Sequence, residues 1–248
     1  MPAANAAISI DQVRRRCAQC ALRELCLPAG LDRDDLARVD RLVSERRWLA
    51  AGEKLYHAGS PFHALYLVQT GSLKTQTYSE GGELQILGFH LPGEIMGFDA
   101  LADETHQCDA ETLEPSSVCK LPYAQLEKLS SVLPGLQRQF MRLVSREVSA
   151  SQHHMAVMGR GQAISRLALF LYNYGQRQNR LGRSRNQLSL TMSRADLANY
   201  LGLVLETVSR LFGRLQDKGL IRVKRREITI LDMDGLKQIG ESAQGSLD

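Results

Sequence analysis

The spacing of apolar residues changes its period at Pro122, and this change limits the possible folds more than any other feature of the sequence. Before it, from Trp48 onwards, glycines separate short β-prone runs such as LYLVQTGSLKTQTY. Short strands at such regular spacing are typical of an all-β barrel or jelly roll. After it, PGLQRQFMRLVSREVSASQHHMAVM (134–158) has helical spacing and a proline at its start. The sequence therefore predicts a β-barrel followed by one long helix.

That helix carries a narrow apolar stripe. A helix of about 25 residues spans roughly 37 Å, which is long for a two-layer domain. A narrow stripe on a long helix favours packing against a second copy of the same chain. The alternative, a connector helix that lies on its own barrel, stays open on the pattern alone. We predict a dimer contact formed by Phe140, Val144, Val148, Ser151 and Met155.

The stretch TMSRADLANYLGLVLETVSRLFGRLQDKGLI (191–221) predicts two helices joined by a short turn. Ser193 suits the N-cap of the first helix, Gly202 suits the turn, and Gly219 suits the end of the second helix. This is the helix-turn-helix pattern. The following LIRVKRREITIL predicts a β-hairpin wing, with basic side chains at Arg222, Lys224, Arg225 and Arg226. The outward face of the second helix carries Glu206, Ser209, Arg210 and Arg214.

Those four outward side chains suit DNA. Arg210 can bond a guanine through two nitrogens, Glu206 can accept from a cytosine amino group, and Ser209 can approach a neighbouring base. Arg214 is better placed for a phosphate. Residues 160–230 carry 14 basic and 4 acidic side chains, whereas residues 1–159 carry 16 and 19. A strongly basic segment beside a mildly acidic one is typical of a nucleic-acid-binding module, so we predict double-stranded DNA as a partner.

The N-terminal run RRRCAQCALRELC (14–26) contains three of the five cysteines. An odd number of cysteines fits disulfide pairing poorly. No apolar run approaches the ~18 residues of a membrane helix, and the opening MPAANAAISI lacks the features of a secretory signal. We therefore expect a cytoplasmic protein without membrane association, in which stable disulfides are uncommon. On chemistry alone the thiols suit a zinc ion, an iron–sulfur cluster or a redox pair, and the arginines at 14–16 would lower the pKa of Cys17.

The order of barrel, long helix and winged helix-turn-helix, with PGEIMGFDAL (92–101) and LETVSRLFGRLQDKGLI, resembles the Crp/Fnr superfamily of dimeric bacterial transcription regulators. The resemblance implies an α+β fold with an N-terminal cyclic-nucleotide-binding-type β-barrel (jelly roll), a long dimerisation helix and a C-terminal winged helix-turn-helix. It divides the chain into a cysteine-rich cluster-binding segment (1–30), a sensory barrel (31–133), a dimerisation helix (134–159) and a DNA-binding domain (160–248). No local nucleophile–base signature accompanies the histidines and cysteines, so an enzyme is not expected.

Two sensory chemistries occur in that superfamily. Members that bind cyclic AMP hold its phosphate with an arginine in the loop after the PGE-x-x-G segment. Here residues 102–115 contain no arginine or lysine and five acidic side chains, so we expect no cyclic nucleotide. The spacing of Cys17, Cys20 and Cys26 resembles that of the N-terminal ligands in the fumarate-and-nitrate-reduction regulator branch, and Cys119 matches its distant fourth ligand. This likeness implies an oxygen-labile [4Fe-4S] cluster on these four cysteines and leaves Cys108 as a small barrel residue.

The same resemblance implies how the protein would act on promoters. It implies a palindrome of the TTGAT-four-bases-ATCAA type, with Glu206, Ser209 and Arg210 at the base-reading positions, and an RNA polymerase contact at the hairpin tip Ser79–Glu83. Some relatives carry an acidic side chain near Ser151 that keeps the cluster-free chain monomeric; here serine stands there, so we expect more dimer in air. A zinc-stabilised or thiol-redox regulator of the Crp type, without oxygen sensing, stays open as the alternative.

Overall fold

A computed structural model describes residues 17–43, 45–159 and 162–241 of the chain. Its N-terminal half is built on the strands β1 (Glu45–Leu49), β2 (Lys54–Tyr56), β3 (Ala64–Thr70), β4 (Leu73–Tyr78), β5 (Leu84–His90), β6 (Ile95–Met96), β7 (Asp109–Thr112) and β8 (Ser116–Pro122). They form two antiparallel sheets with the strand orders β1-β8-β3-β6 and β2-β7-β4-β5. The two sheets face each other as the walls of the barrel.

Apolar side chains from both sheets fill this barrel, among them Leu49, Leu55, Val68, Leu73, Met96, Ala110 and Val118. The chain turns from β3 into β4 at Gly71, whose φ is 77°. A Cβ atom at this position would lie 2.8 Å from the carbonyl oxygen of Pro115, so the turn requires glycine. The predicted jelly-roll barrel of short, glycine-separated strands is confirmed.

A second apolar core lies outside the barrel, where the helices α1 (Arg33–Leu42), α2 (Tyr123–Val132) and α3 (Pro134–Met158) pack with the cysteine segment. Pro134 begins α3, as expected for a residue that lacks an amide hydrogen. Only one side of α3 is buried, mainly through Leu136, Gln139 and Leu143. Within the described residues, no helix is long and apolar enough to cross a membrane.

The C-terminal domain contains α4 (Ala163–Arg180), β9 (Gln187–Ser189), α5 (Arg194–Tyr200), α6 (Leu205–Asp217), β10 (Ile221–Lys224), β11 (Glu227–Ile230) and α7 (Met233–Glu241). The side chain of Ser193 accepts from the amide of Asp196 at 2.9 Å, and the carboxylate of Asp196 accepts from the amide of Ser193 at 3.1 Å. This reciprocal cap fixes the start of α5. The strands form a sheet of order β10-β11-β9. The predicted helix-turn-helix and wing are therefore confirmed, whereas β9 and α7 were not foreseen.

Candidate cysteine site and nucleic-acid interface

The cysteine segment lies against the barrel in two short 3-10 turns, Cys17–Gln19 and Arg23–Leu25. Cys17 and Cys20 are partly exposed, whereas Cys26 is buried, and all three are free thiols. The amide of Cys20 donates to the carbonyl of Cys17 at 3.2 Å, so the two residues share one tight turn. The C-x2-C spacing thus brings the first two thiols together locally.

Cys119 comes to the same place from β8, far along the chain. It pairs with Arg46 on β1 and with Leu67 on β3, so it occupies the middle of its sheet. Its side chain is buried in the same apolar cluster as Cys26 and Leu27, outside the barrel. The strand register therefore brings the distant cysteine to the N-terminal segment.

The four thiols interact electrostatically. Burial raises the pKa of Cys26 well above its usual value, and the charges of Cys17, Cys119 and Cys20 add to this rise. Burial raises the pKa of Cys119 as well, while Arg46 opposes the increase. Like charges raise each other's pKa when they lie near one another. With the apolar cluster that Cys26 and Cys119 share, these effects indicate that the four thiols lie on the same side of the barrel.

Among the described residues, burial and Asp40 mainly determine the pKa of Cys17. Burial, followed by the charge and hydrogen bond of Asp40, raises its pKa to about 12. The arginines at 14–16, which were expected to lower this pKa, lie outside the described residues. The nearby carboxylate of Asp40 thus disfavours the free thiolate, and a cation bound among the four sulfurs would offset this cost.

The donor set suits either an iron–sulfur cluster or zinc, because both are held by thiolates. The described residues contain no group of three or more metal-ligating side chains already at metal-binding distances. The chemistry of the four thiols and the apolar surroundings of Cys26 and Cys119 suit such a group, which Cys17 and Cys20 would hold from the partly exposed segment.

Two hydrogen bonds tie the cysteine segment to helices. Asp40 on α1 accepts from the amide of Cys17 at 2.6 Å. Gln139 on α3 is buried and donates through Nε2 to the carbonyl oxygen of Cys26 at 3.0 Å. Sequence reasoning missed both residues, although Gln139 is a polar side chain on the inward face between Leu136 and Leu143. This bond joins the candidate ligand segment directly to the long helix.

We expect Gln139→Leu to lower the free energy of unfolding by about 1–3 kcal/mol, because it leaves the buried carbonyl of Cys26 without a donor. Gln137→Leu, two residues earlier on the exposed side of α3, is the matched control and should change stability by less than about 0.5 kcal/mol. Urea unfolding followed by circular dichroism measures both. Equal effects of the two substitutions would show that the Gln139 bond contributes nothing particular.

Cys108 lies apart from the other cysteines. Its thiol donates to Oδ2 of Asp99 at 3.5 Å inside the barrel. Burial, followed by the charge and hydrogen bond of Asp99, raises its pKa to about 12. It packs with Leu55 and Val68 in the barrel core, as a small barrel residue would.

Two acidic residues that follow the PGE-x-x-G segment, Asp109 and Glu111, lie on β7 and are paired with the chain's own cations and amides. Asp109 bonds Nζ of Lys54 at 2.7 Å and the amide of Ala58 at 2.9 Å. Glu111 lies 3.6 Å from Nζ of Lys74. The absence of a cyclic nucleotide stays a prediction, and it rests on the lack of any arginine or lysine in residues 102–115 that could hold the phosphate.

The outward face of α6 is open to solvent. Glu206, Ser209, Arg210 and Arg214 are all exposed. Inward-facing Val208, Leu211 and Leu215 anchor the helix in the core of the domain. Glu206 and Arg210 are more than 80% exposed and lie 3.9 Å apart. Such an exposed pair is worth little to stability, so both side chains are available to bases.

The wing is fixed to the helix-turn-helix by Arg194, a residue that sequence reasoning missed. Its guanidinium lies 3.6 Å above the ring of Phe212 on α6 and donates to the carbonyl of Arg225 at 3.3 Å. Arg225 occupies the hairpin tip with φ of 58°, an uncommon conformation for a side chain of this size. The four basic wing side chains Arg222, Lys224, Arg225 and Arg226 are exposed beside α6.

The predicted dimer stripe on α3 lies in two environments. Phe140 is half buried and its ring lies 6.2 Å from that of Phe98 on the barrel. Val144 is half buried, while Val148, Ser151 and Met155 are exposed. Sequence reasoning missed Met141, which is 57% exposed. If Met141 replaces Phe140 as the first residue, the stripe continues with Val144, Val148, Ser151 and Met155 in alternating steps of three and four residues. This is the spacing of residues at the contact between two paired helices.

Comparison with known proteins agrees with these features. The model of the Crp-like helix-turn-helix domain matches residues 165–239, and that of the cyclic nucleotide-binding domain matches residues 46–131. The transcriptional regulatory protein btr of Bordetella pertussis is 45% identical to this chain over 223 residues, which cover 90% of this chain and 92% of that protein. The chain belongs to the Crp/Fnr family.

Other members of this family are similarly close. The transcriptional activator protein FnrA of Stutzerimonas stutzeri is 41% identical over 96% of each chain. The fumarate and nitrate reduction regulatory protein of Escherichia coli K12 is 39% identical over 90% of this chain and 89% of that protein. FixK2 from Bradyrhizobium japonicum has a similar structure, with a TM-score of 0.74 and 29% identity over 82% of this chain and 100% of that one. The protein is thus an FNR-like transcriptional regulator with a helix-turn-helix DNA-binding domain.

Proposed function

We propose that this regulator responds to oxygen and binds palindromic promoter DNA as a homodimer while Cys17, Cys20, Cys26 and Cys119 hold a [4Fe-4S] cluster. In this role it controls genes for anaerobic or microaerobic growth. The observation that carries the proposal is the convergence of three N-terminal thiols with Cys119 on one side of the barrel. A regulator of promoters acts in the cytoplasm, where free thiols persist.

When bound, the cluster supplies a centre that oxygen destroys. Cys26 and Cys119 would provide ligands from the apolar core, and Cys17 and Cys20 would provide the other two from the partly exposed segment. The bond from Gln139 to Cys26 holds this segment against α3. Because α3 also carries the exposed stripe, the position of the segment and the pairing of two chains involve the same helix.

Pairing of two α3 helices would present two copies of α6 to the half-sites of a TTGAT-four-bases-ATCAA palindrome. Such half-sites lie about one DNA turn apart. Glu206, Ser209 and Arg210 would contact bases, while Arg214 and the wing would contact phosphates. The exposed hairpin tip Ser79–Glu83 would contact RNA polymerase at activated promoters.

The proposal is tested by purifying the full chain without oxygen, measuring its spectrum, iron and sulfide, and then admitting air. We expect a brown protein with about four irons per chain that bleaches in air and loses operator affinity. Four thiols also suit zinc. A colourless, zinc-containing protein whose DNA binding ignores air would therefore replace the oxygen-sensing proposal with a zinc-stabilised Crp-type regulator.

We expect Arg210→Ala to weaken binding to the palindrome by about 1–3 kcal/mol, and to relax selectivity at one base pair of each half-site, because a two-nitrogen contact to guanine is lost. Arg214→Ala on the same helix is the matched control. It should weaken binding to all sequences alike and reduce the salt dependence by about one counterion per site. Fluorescence anisotropy with single-base operator variants measures both. Uniform weakening by Arg210→Ala would show that this residue does not read a base.

A further inference from the structure

The DNA-binding domain is packed on the barrel of its own chain. Ile86, Phe89 and Leu91 of the barrel belong to the same apolar core as Phe170 and Tyr174 of α4. The ring of Phe89 also lies 4.9 Å from that of Tyr200 on α5. Interfaces between domains are commonly polar enough to allow relative motion. This one is continuous with a hydrophobic core, which resists sliding.

Asn199 on α5 completes the hydrogen bonding of strand β5. Its Nδ2 donates to the carbonyl of Leu84 at 2.7 Å, and its Oδ1 accepts from the amide of Ile86 at 2.6 Å. β5 is an edge strand, so these groups face away from the sheet. One side chain thus takes the place of a neighbouring strand and sets the position of α5 along β5.

Two ion pairs flank this contact. Nζ of Lys74 on β4 lies 3.0 Å from Oδ1 of Asp196 on α5, and the Lys74 side chain is only 11% exposed. Arg177 on α4 holds Glu94 through two bonds of 2.9 and 2.6 Å, and also donates to the carbonyl of Phe89. The two bonds of the Arg177–Glu94 pair give it a defined geometry, and the single bond from Lys74 to Asp196 is largely shielded from solvent. Together with Asn199 they fix α4 and α5 at three points on the barrel.

The contacts leave the DNA-reading surface free. They use α4 and α5, whereas Glu206, Ser209, Arg210 and the wing arginines are exposed to solvent. If the contact with the barrel covered the DNA-reading face, it would inhibit DNA binding. Here the contact holds the DNA-binding domain against the barrel and covers none of the predicted base-contacting residues.

We propose that Lys74, Glu94 and Asn199 are positioning residues for DNA reading: they lock the DNA-binding domain on its own barrel in the orientation that the palindrome requires. The inference rests on the proposed homodimer, since only two linked domains need a set orientation. Barrel and recognition helix then move as one body, and the relation of two α6 helices depends on how the barrels pair through α3. A domain released from the barrel would bind a single half-site with normal affinity. When the two domains of a dimer bind both half-sites of a palindrome, fixing their orientation would cost conformational entropy and weaken binding.

Lys74→Met and Lys54→Met test this inference as a matched pair. Both residues are barrel lysines bonded to an aspartate, but Asp109, the partner of Lys54, lies within the barrel. In the anaerobically purified full chain, we expect Lys74→Met to weaken binding to the palindrome about tenfold and to change binding to a single half-site less than twofold. Lys54→Met should leave both affinities unchanged. Glu94→Gln, which weakens the independent pair with Arg177, should repeat the effect of Lys74→Met.

Amide hydrogen exchange provides a second measurement, which is made without DNA. The amide of Ile86, which Asn199 accepts from, should exchange faster in Lys74→Met than in Lys54→Met. Palindrome affinity that is unchanged or higher in both Lys74→Met and Glu94→Gln would overturn the inference. It would also be overturned if these variants lost as much affinity for the single half-site as for the palindrome. A monomeric wild-type chain without preference for the palindrome would instead reject the proposed homodimer, and the inference with it. Sedimentation under the same conditions separates these cases.

Discussion

Cys119→Ser is expected to remove most of the iron from the anaerobically purified protein, from about four atoms per chain to fewer than one, and to abolish operator binding. A serine hydroxyl does not ionise near neutral pH and cannot replace a thiolate ligand. Cys119 is also the one candidate ligand held by a strand in the middle of a sheet. Its position does not depend on the N-terminal segment, so its loss leaves that segment without a fixed anchor.

Cys108→Ser is the matched control for this experiment. Both cysteines are buried in the barrel domain, but Cys108 bonds Asp99 and takes no part in the electrostatic interactions among the four convergent thiols. The Cys108→Ser protein should retain its iron, its colour and its operator affinity. Iron and sulfide analysis with anaerobic gel shifts measures both variants. Iron retained in Cys119→Ser, or lost equally from both, would contradict the assigned ligand set.

The features that could be predicted from the sequence depend on local signals. Ser193, Gly202 and Gly219 specify the caps and the turn of the helix-turn-helix within a few residues. Pro134 specifies the start of α3 in the same way. Each signal acts through its own backbone conformation or its neighbours, so no knowledge of the tertiary fold was needed.

Contacts between distant segments could not be predicted in this way. Gln139 with Cys26 and Asn199 with Ile86 each join residues 113 positions apart. The local sequence around a glutamine or asparagine on a helix does not indicate which distant residue its side chain will bond. Cys119 was identified through a family resemblance, because only the register of β8 between β1 and β3 brings it to Cys26.

The dimer stripe lies between these cases. Helical periodicity identified α3 and its apolar side, but a period of 3.6 residues allows both Phe140 and Met141 to begin the stripe. Burial distinguishes the two residues, because the Phe140 side chain packs near Phe98 on the barrel whereas the Met141 side chain is exposed to solvent. The pattern predicted the helix, and the neighbouring barrel determined which of its residues are left for a partner.

Val148→Asp is therefore expected to make the chain monomeric under anaerobic conditions and to weaken binding to the palindrome at least about a hundredfold. Val148 is 50% exposed at the centre of the stripe. Burying the exposed half of this valine contributes about 0.8–1.5 kcal/mol per chain, and aspartates facing each other across the twofold axis would add repulsion. The exposed neighbour Ser149→Asp adds the same charge outside the stripe and should leave the dimer intact. Sedimentation, iron analysis and binding to single half-sites distinguish lost pairing from lost folding. A dimeric Val148→Asp chain with normal palindrome affinity would mean that this stripe is not the dimer contact and that two chains pair through another surface.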